Sequence, residues 1–64
     1  MSAPLDMVGS FRRDTEEHGD AYVVLVRGLW TVPQVRAVAC QLATTSPEES
    51  LAILDGVRKF EAEG

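Results

Sequence analysis

The stretch AYVVLVRGLWTVPQ, residues 21–34, decides how the fold of this chain is interpreted. Residues 21–27 are mostly β-branched, aromatic or aliphatic, and Gly28 ends the run. Such side chains favour strands, and a continuous apolar run is typical of a strand that is buried on both faces. We therefore predict a strand at residues 21–27. A lone strand cannot satisfy its own backbone hydrogen bonds, so this one requires a second strand or a partner.

The residues after the strand carry the signals of a helix start. Thr31 is followed three residues later by Gln34, which is the pattern of a capping box. Trp30 precedes the cap and is placed to form a hydrophobic staple with Val35. These signals predict a first helix over residues 31–43.

This helix is apolar around most of its circumference. Ala37, Cys40 and Ala43 are small or apolar although they lie outside the predicted core stripe. A helix of this kind is covered on nearly all sides, and 64 residues provide too little material to cover it. The pattern therefore favours a partner. The core stripe itself has i, i+3, i+4, i+7 spacing and consists of Val35, Val38, Ala39 and Leu42.

A second helix is predicted from Pro47 to the end of the chain. Ser46 and Glu49 have the spacing of another capping box, and Pro47 is suited to the first helical position. Gly56 interrupts this helix at a cost of about 1 kcal/mol relative to alanine. We interpret it as the place where another helix or strand approaches closely.

Residues 1–20 leave three alternatives open. Ser2 could cap a short helix with Leu5, Val8 and Phe11 on one side. Residues 10–14 could instead be a strand that forms a β-hairpin with residues 21–27. The third alternative is a mobile acidic arm.

The overall prediction is a small single domain of the α+β class. Residues 1–20 form an N-terminal arm, helix or first hairpin, and residues 21–64 form a strand–helix–helix module. The predicted core consists of Tyr22, Val24, Val26, Trp30, Val35, Val38, Ala39, Leu42, Leu51, Leu54, Val57 and Phe60.

Composition restricts the function classes. The net charge is −4, so long-range attraction to nucleic acid is disfavoured, although residues 21–45 contain two arginines and no acid. The single cysteine excludes an internal disulfide, and we expect no metal or cofactor. No apolar run approaches the length of a membrane span, and the first residues do not resemble a signal peptide. We expect a cytoplasmic protein.

Two residues bear on catalysis. His18 lies among acidic residues and could act as a base, but no nucleophile accompanies it. Cys40 lies in the middle of the first predicted helix, where we expect a buried, inert thiol. The sequence therefore predicts that the protein is not an enzyme.

Partner binding is the function that we assign to the predicted strand and to the start of the first helix. Trp30 is either a core staple or an interface anchor, since tryptophan is enriched at binding hot spots. Arg27 is either solvated or bound to a carboxylate of the partner. The predicted partner-binding residues are Tyr22, Val24, Val26, Arg27, Trp30 and Arg36.

The order strand, helix, turn, helix over residues 21–62 resembles that of ribbon–helix–helix DNA-binding dimers. In those proteins the strand pairs with its two-fold mate. The resemblance implies a DNA-binding regulator or antitoxin. Glu48 and Glu49 lie where such a protein contacts phosphate, and they disfavour this alternative.

A second resemblance lies in the residues themselves. The segment VVLVRGLWTVPQVRAVACQLA, residues 23–43, resembles the strand–helix segment of epsilon subunits of actinobacterial acyl-CoA carboxylases, and the match covers residues 24–43. The pattern is an aliphatic strand, then Arg27, Gly28 and Thr31, then a helix rich in alanine, leucine and valine. The resemblance implies a non-catalytic subunit that stabilises a carboxylase assembly. The two resemblances agree on one point, that another polypeptide completes the strand. Our main hypothesis is a small interaction protein, either an obligate oligomer or an accessory subunit, that pairs through strand 21–27 and the first helix.

Overall fold

The structure is a computed structural model that describes residues 6–64. It contains four helices: α1 (Met7–His18), α2 (Ala21–Val26), α3 (Val32–Leu42) and α4 (Pro47–Glu63). No strand occurs within the described range, so the predicted α+β class, the hairpin and the strand–helix–helix module are wrong. The arrangement on which the similarity to ribbon–helix–helix proteins depended is therefore absent from residues 21–62.

The segment predicted as a strand is the short helix α2. The Asp20 side chain caps it by accepting a hydrogen bond of 3.0 Å from the backbone N–H of Val23. Ala21, Val24 and Leu25 are buried, which is the i, i+3, i+4 spacing of a helix face. The β-branched residues follow this packing rather than their intrinsic preference, because tertiary contacts override propensity.

The helix alternative for the N-terminal region is confirmed over residues 7–18. Asp6 caps α1 by accepting a hydrogen bond from the Gly9 N–H, whereas the proposed cap Ser2 lies outside the described residues. Gly19, with φ of 128°, ends α1 and lets Asp20 start α2 immediately. Phe11 of α1 is fully buried, so this helix packs into the core and does not form a mobile arm.

The two predicted helices are confirmed with one correction. The capping box of α3 is present, with both the Thr31 and the Gln34 side chains bonded to backbone N–H groups. Helix α4 begins at Pro47, but the Ser46 side chain makes no capping hydrogen bond. The predicted second capping box is therefore wrong, because Glu49 forms an ion pair with Arg12 of α1 instead.

The core lies where all four helices meet. Val26 and Leu51, both predicted to be buried, are 56% and 66% exposed, and Tyr22 is only half-buried. Trp30, Leu54 and Phe60 pack at the edge of the core. For Tyr22 and Val26 the error arises because strand alternation selects positions 22, 24 and 26, whereas the helical period selects 21, 24 and 25. The buried apolar residues are Phe11, Ala21, Val24, Leu25, Val35, Val38, Ala39, Leu42, Ile53 and Val57.

Gly56 allows α2 to pack closely against α4, as the sequence predicted. A Cβ atom at Gly56 would lie 2.9 Å from the Ala21 Cβ and 3.0 Å from the Tyr22 backbone nitrogen. On the other side of α4, the buried hydroxyl of Ser50 donates a hydrogen bond of 2.7 Å to the Ala39 carbonyl. Helix α4 is thereby fixed against both α2 and α3.

Candidate interaction surface

Tyr22 makes its polar contacts within the chain. Its hydroxyl donates a hydrogen bond to the Glu63 carboxylate, and the Lys59 ammonium lies 4.6 Å from the ring centroid. The hydrogen bond to Glu63 is the main cause that raises the pKa of Tyr22 above its ordinary value of 10.0, with burial and the carboxylate charge adding to it. Tyr22 therefore links α2 to the last turns of α4.

Trp30 also contacts residues of its own chain. Its ring packs edge-on against Phe11, with centroids 5.3 Å apart and an interplanar angle of 87°. The indole N–H donates a hydrogen bond of 2.7 Å to the Asp14 carboxylate. The tryptophan side chain thus fixes the corner before α3 against α1, and its only N–H donor is satisfied within the chain.

The other predicted partner-binding residues divide into two groups. Val24 is fully buried, and Arg36 forms an ion pair with Glu61 at 2.9 Å. Val26 and Arg27, by contrast, are exposed at the end of α2. The Arg27 side chain makes neither a hydrogen bond nor an ion pair with any residue between 6 and 64. Of the six residues, these two are the ones available to a partner.

Helix α3 leaves one side uncovered. Pro33, Ala37, Cys40 and Gln41 have i, i+4, i+7, i+8 spacing, which places them opposite the buried stripe of the same helix. Pro33, Cys40 and Gln41 are exposed, and Ala37 is half-buried. We call these four residues the α3 outer face. The prediction that Cys40 is buried is wrong, because the chain covers α3 from one side only.

The α3 outer face differs in charge from the surface of α1. The exposed residues of α1 are Arg12, Arg13, Glu16 and Glu17, all of them charged. No acidic residue occurs in the sequence between Asp20 and Glu48. The α3 outer face carries neither sign of charge. Leu29, 45% exposed, lies with Val26 in the corner before α3 and adds apolar surface there.

Residues 6–64 were searched for metal sites and for small-molecule pockets. No group of three His, Cys, Asp or Glu side chains among residues 6–64 could hold a metal ion. The cleft between α1 and the start of α3 has a volume of about 230 Å³ and is lined by Asp6, Met7, Ser10, Trp30 and Gln34. Ligand pockets usually have about 300–1,000 Å³ and convergent polar groups, and this cleft is smaller than that range. A depression of about 460 Å³ lined by residues 45–49 lies open on the surface.

The sequence anticipated part of this surface. The nearly all-apolar circumference of α3 indicated a helix that needs covering, and the structure places the uncovered part at Pro33, Ala37 and Cys40. The Trp30–Asp14 contact was missed. Its residues are 16 positions apart, and no local pattern indicates a contact that depends on how α1 packs.

Comparison of the chain with protein-family models, curated proteins and solved structures gives no match. The resemblance of residues 24–43 to carboxylase epsilon subunits therefore stays a prediction. In the part of the chain that the structure describes, none of the helices is both long enough and apolar enough to span a membrane.

Proposed function

We propose that this protein is a small, non-enzymatic interaction module that binds another polypeptide through the α3 outer face. It acts as an oligomer or as an accessory subunit, in the cytoplasm, where a single unpaired cysteine is common. The observation that carries the proposal is an uncharged helix side that is exposed in a chain of which a quarter of the residues are charged. The mode of binding differs from the edge pairing predicted from the sequence, because α2 has no strand edge to offer.

The cost of removing water supports this assignment. Burying a charge is expensive unless it is paired, and the cores of protein interfaces are depleted of charged residues. Pro33, Ala37 and Cys40 can be buried without leaving an ion unpaired, and Gln41 needs only a hydrogen-bond partner. The surfaces of α1 and the second half of α4 lack this property, because charged side chains dominate them.

The size of the side chains supports it further. Small residues allow the backbone of a second helix to approach closely and to make many van der Waals contacts. Val26 and Leu29 are exposed apolar side chains in the segment before α3, and the Arg27 guanidinium, which has no ion pair within residues 6–64, can bind a carboxylate. The surface thus has a small, uncharged centre and a polar edge, as protein interfaces usually do.

The experiment that tests this proposal compares two alanine-to-glutamate variants. Ala37→Glu puts a charge into the α3 outer face, whereas Ala52→Glu puts the same charge on an exposed position of α4. Tagged wild type and both variants are used to capture proteins from a lysate of the source organism, and bound chains are identified by mass spectrometry. A partner retained by wild type and Ala52→Glu but lost with Ala37→Glu supports the proposal; equal capture by all three contradicts it.

A further inference from the structure

We infer that the groove between α3 and α4 binds an amphipathic helix of another protein, which packs large apolar side chains against Leu51 and Leu54 and brings a carboxylate to Arg58. This groove is separate from the α3 outer face, so the inference goes beyond the proposed function. It is carried by an exposed leucine and an unpaired arginine on the same side of α4.

The groove follows the line along which α3 and α4 pack together. Arg36 contacts Glu61, and Ala39 contacts Ser50, so the two helices run in opposite directions. A depression along this line is lined by residues of both helices, namely Arg36, Leu54, Val57, Arg58 and Glu61. None of the four residues of the α3 outer face lines this depression.

Apolar side chains form the α4 wall of the groove. Leu54 is half-buried there, and Val57 is buried beneath it. Leu51 lies three residues before Leu54 on the same side of α4, and it is 66% exposed. With Arg58, the two leucines have i, i+3, i+7 spacing, which is the spacing of one helix side. Leu51 therefore extends the apolar wall by one turn towards the start of α4.

The groove has a net positive charge, although the chain as a whole is acidic. Its lining contains two guanidinium groups and one carboxylate. The carboxylate of Glu61 is bound by Arg36 through hydrogen bonds of 2.9 and 3.0 Å, whereas Arg58 forms no ion pair within residues 6–64. Helix α3 adds no carboxylate, because no acidic residue occurs between Asp20 and Glu48.

The other acidic residues of α4 do not line the groove. Glu49 and Glu63 bind residues of α1 and α2. Glu48 precedes Arg58 by ten residues, which is about 15 Å along the helix. Asp55 precedes Arg58 by three residues, but no ion pair joins them in the structure. Arg58 is therefore the charge of the groove that an occupant has to neutralise.

These features define the chemistry of the occupant. Burying a guanidinium without a partner is expensive, so the occupant has to place a carboxylate beside Arg58. A helix presents apolar and acidic side chains one turn apart, as the spacing of the groove requires. From Leu51 to Glu61 the groove follows ten residues of α4, or about 15 Å, which corresponds to about three turns of a helix.

Three helices of a second copy lack these features. The exposed residues of α1 are all charged, α2 has only six residues, and α3 contains no acid. A second copy bound through its own α4 would be detected by the increase in mass that it causes.

Two synthetic peptides test the charge of the occupant. Both have about 14 residues, leucine at i, i+3 and i+7, and a covalent staple on the outer side, because free helices of this length are marginal. They differ at i+4, which is glutamate in one peptide and lysine in the other. Binding is followed by the amide chemical shifts of the ¹⁵N-labelled chain.

The glutamate peptide should shift the amides of residues 51–61 and bind wild type about two- to fivefold more tightly than the lysine peptide. Arg58→Glu should reverse this preference. Arg13→Glu makes the same change in net charge at an exposed position of α1, and it should leave the preference unchanged at about 0.15 M salt.

A second pair of variants tests the apolar wall. Leu51→Ser should weaken binding of the glutamate peptide at least about fivefold, because the complex buries this leucine. Since Leu51 is 66% exposed, the substitution leaves the core intact, and the helical circular dichroism should not change. Leu29→Ser, at an exposed position before α3, should change the affinity by less than about twofold.

No shift in the groove at millimolar peptide, or the same peptide preference in wild type and Arg58→Glu, would overturn the inference. A mass that rises above 7.0 kDa in wild type and returns to 7.0 kDa in Leu51→Ser would also overturn it, because the groove would then bind a second copy. None of these results decides the proposed function, which the capture experiment with Ala37→Glu tests separately.

Discussion

The contacts of single residues determine how the free energy of unfolding varies with pH. Glu49 accepts two hydrogen bonds from the Arg12 guanidinium, at 2.9 and 2.7 Å, and these bonds are the main cause that lowers its pKa below the ordinary value of 4.5. A carboxyl whose pKa is lower in the folded state stabilises the fold above its unfolded pKa. The contribution disappears as the pH falls through the folded value.

Replacing Glu49 should therefore have an effect that depends on pH. We expect Glu49→Gln to lower the melting temperature by a few degrees at about pH 7, and we expect this loss to shrink as the pH falls below 4.5. The effect should shrink in roughly 1 M salt, because the pair is exposed. Glu48→Gln, in the same turn of α4, serves as the control. Both variants are measured at about 1 μM protein, so that association contributes little to the melting temperature. Equal effects of the two substitutions at each pH would contradict the role of the Arg12–Glu49 pair.

The single tyrosine of the chain provides a second prediction at this scale. Because Tyr22 donates to Glu63, its pKa in the folded state is raised, and the bond stabilises the fold below pH 10.0 and is lost as the pH rises through the folded value. Glu63→Gln should move the midpoint of a spectrophotometric titration back towards 10.0. Glu61→Gln, which instead removes the ion pair of Arg36, should leave the Tyr22 midpoint unchanged. A midpoint that does not respond to Glu63→Gln would show that the hydrogen bond is absent.

At the scale of elements, the decisive contact is the one between α2 and α4. Alanine normally stabilises a helix interior by about 1 kcal/mol relative to glycine. At Gly56 we expect the opposite sign, with Gly56→Ala losing about 1–3 kcal/mol, because the new Cβ would lie 2.9 Å from the Ala21 Cβ and 3.0 Å from the backbone of Tyr22.

Chemical denaturation of three variants measures this effect. In Ala52→Gly, at an exposed position of α4, the free energy of unfolding should fall only by the about 1 kcal/mol that glycine costs in a helix relative to alanine. Adding Ala21→Gly to Gly56→Ala relieves the Cβ–Cβ contact and should recover part of the loss. A Gly56→Ala protein that is more stable than wild type would contradict the close packing of α2 on α4.

The elements also show what the sequence could predict. Helices α3 and α4 were predicted because Thr31, Gln34 and Pro47 are local signals at their starts. Helix α2 was not predicted, because six consecutive apolar residues look alike in a buried strand and in a buried helix. The missed signal was the pair Gly19 and Asp20, which together end one helix and cap the next.

The candidate surface was predictable to a similar extent. The apolar circumference of α3 indicated that this helix is covered by a partner, and this expectation became the proposal for Pro33, Ala37 and Cys40. Which side of α3 the chain itself covers depends on contacts with α1 and α4 that have no local sequence signal. The assignment of Tyr22 and Trp30 to partner binding also depended on such contacts, because Glu63 and Asp14 are distant in sequence.

At the scale of the whole molecule, a closed core replaces the open strand edge. Phe11 from α1 and Val24 from α2 are fully buried beside the stripe of α3, so the chain fills its own interior. In our proposal a partner therefore contacts the side chains of the α3 outer face and not the backbone of residues 21–27. We infer that association joins chains that are already folded rather than completing their fold.

The most direct test of the four-helix fold is the set of ¹³Cα chemical shifts of residues 21–26 in Ala37→Glu, where we expect binding through the α3 outer face to be abolished. We expect positive secondary shifts from Ala21 to Val26, as in a helix, in a folded 7.0 kDa monomer. Negative secondary shifts over these residues, or a monomer that is unfolded, would contradict the four-helix fold, because the chain would then need a partner to complete its structure.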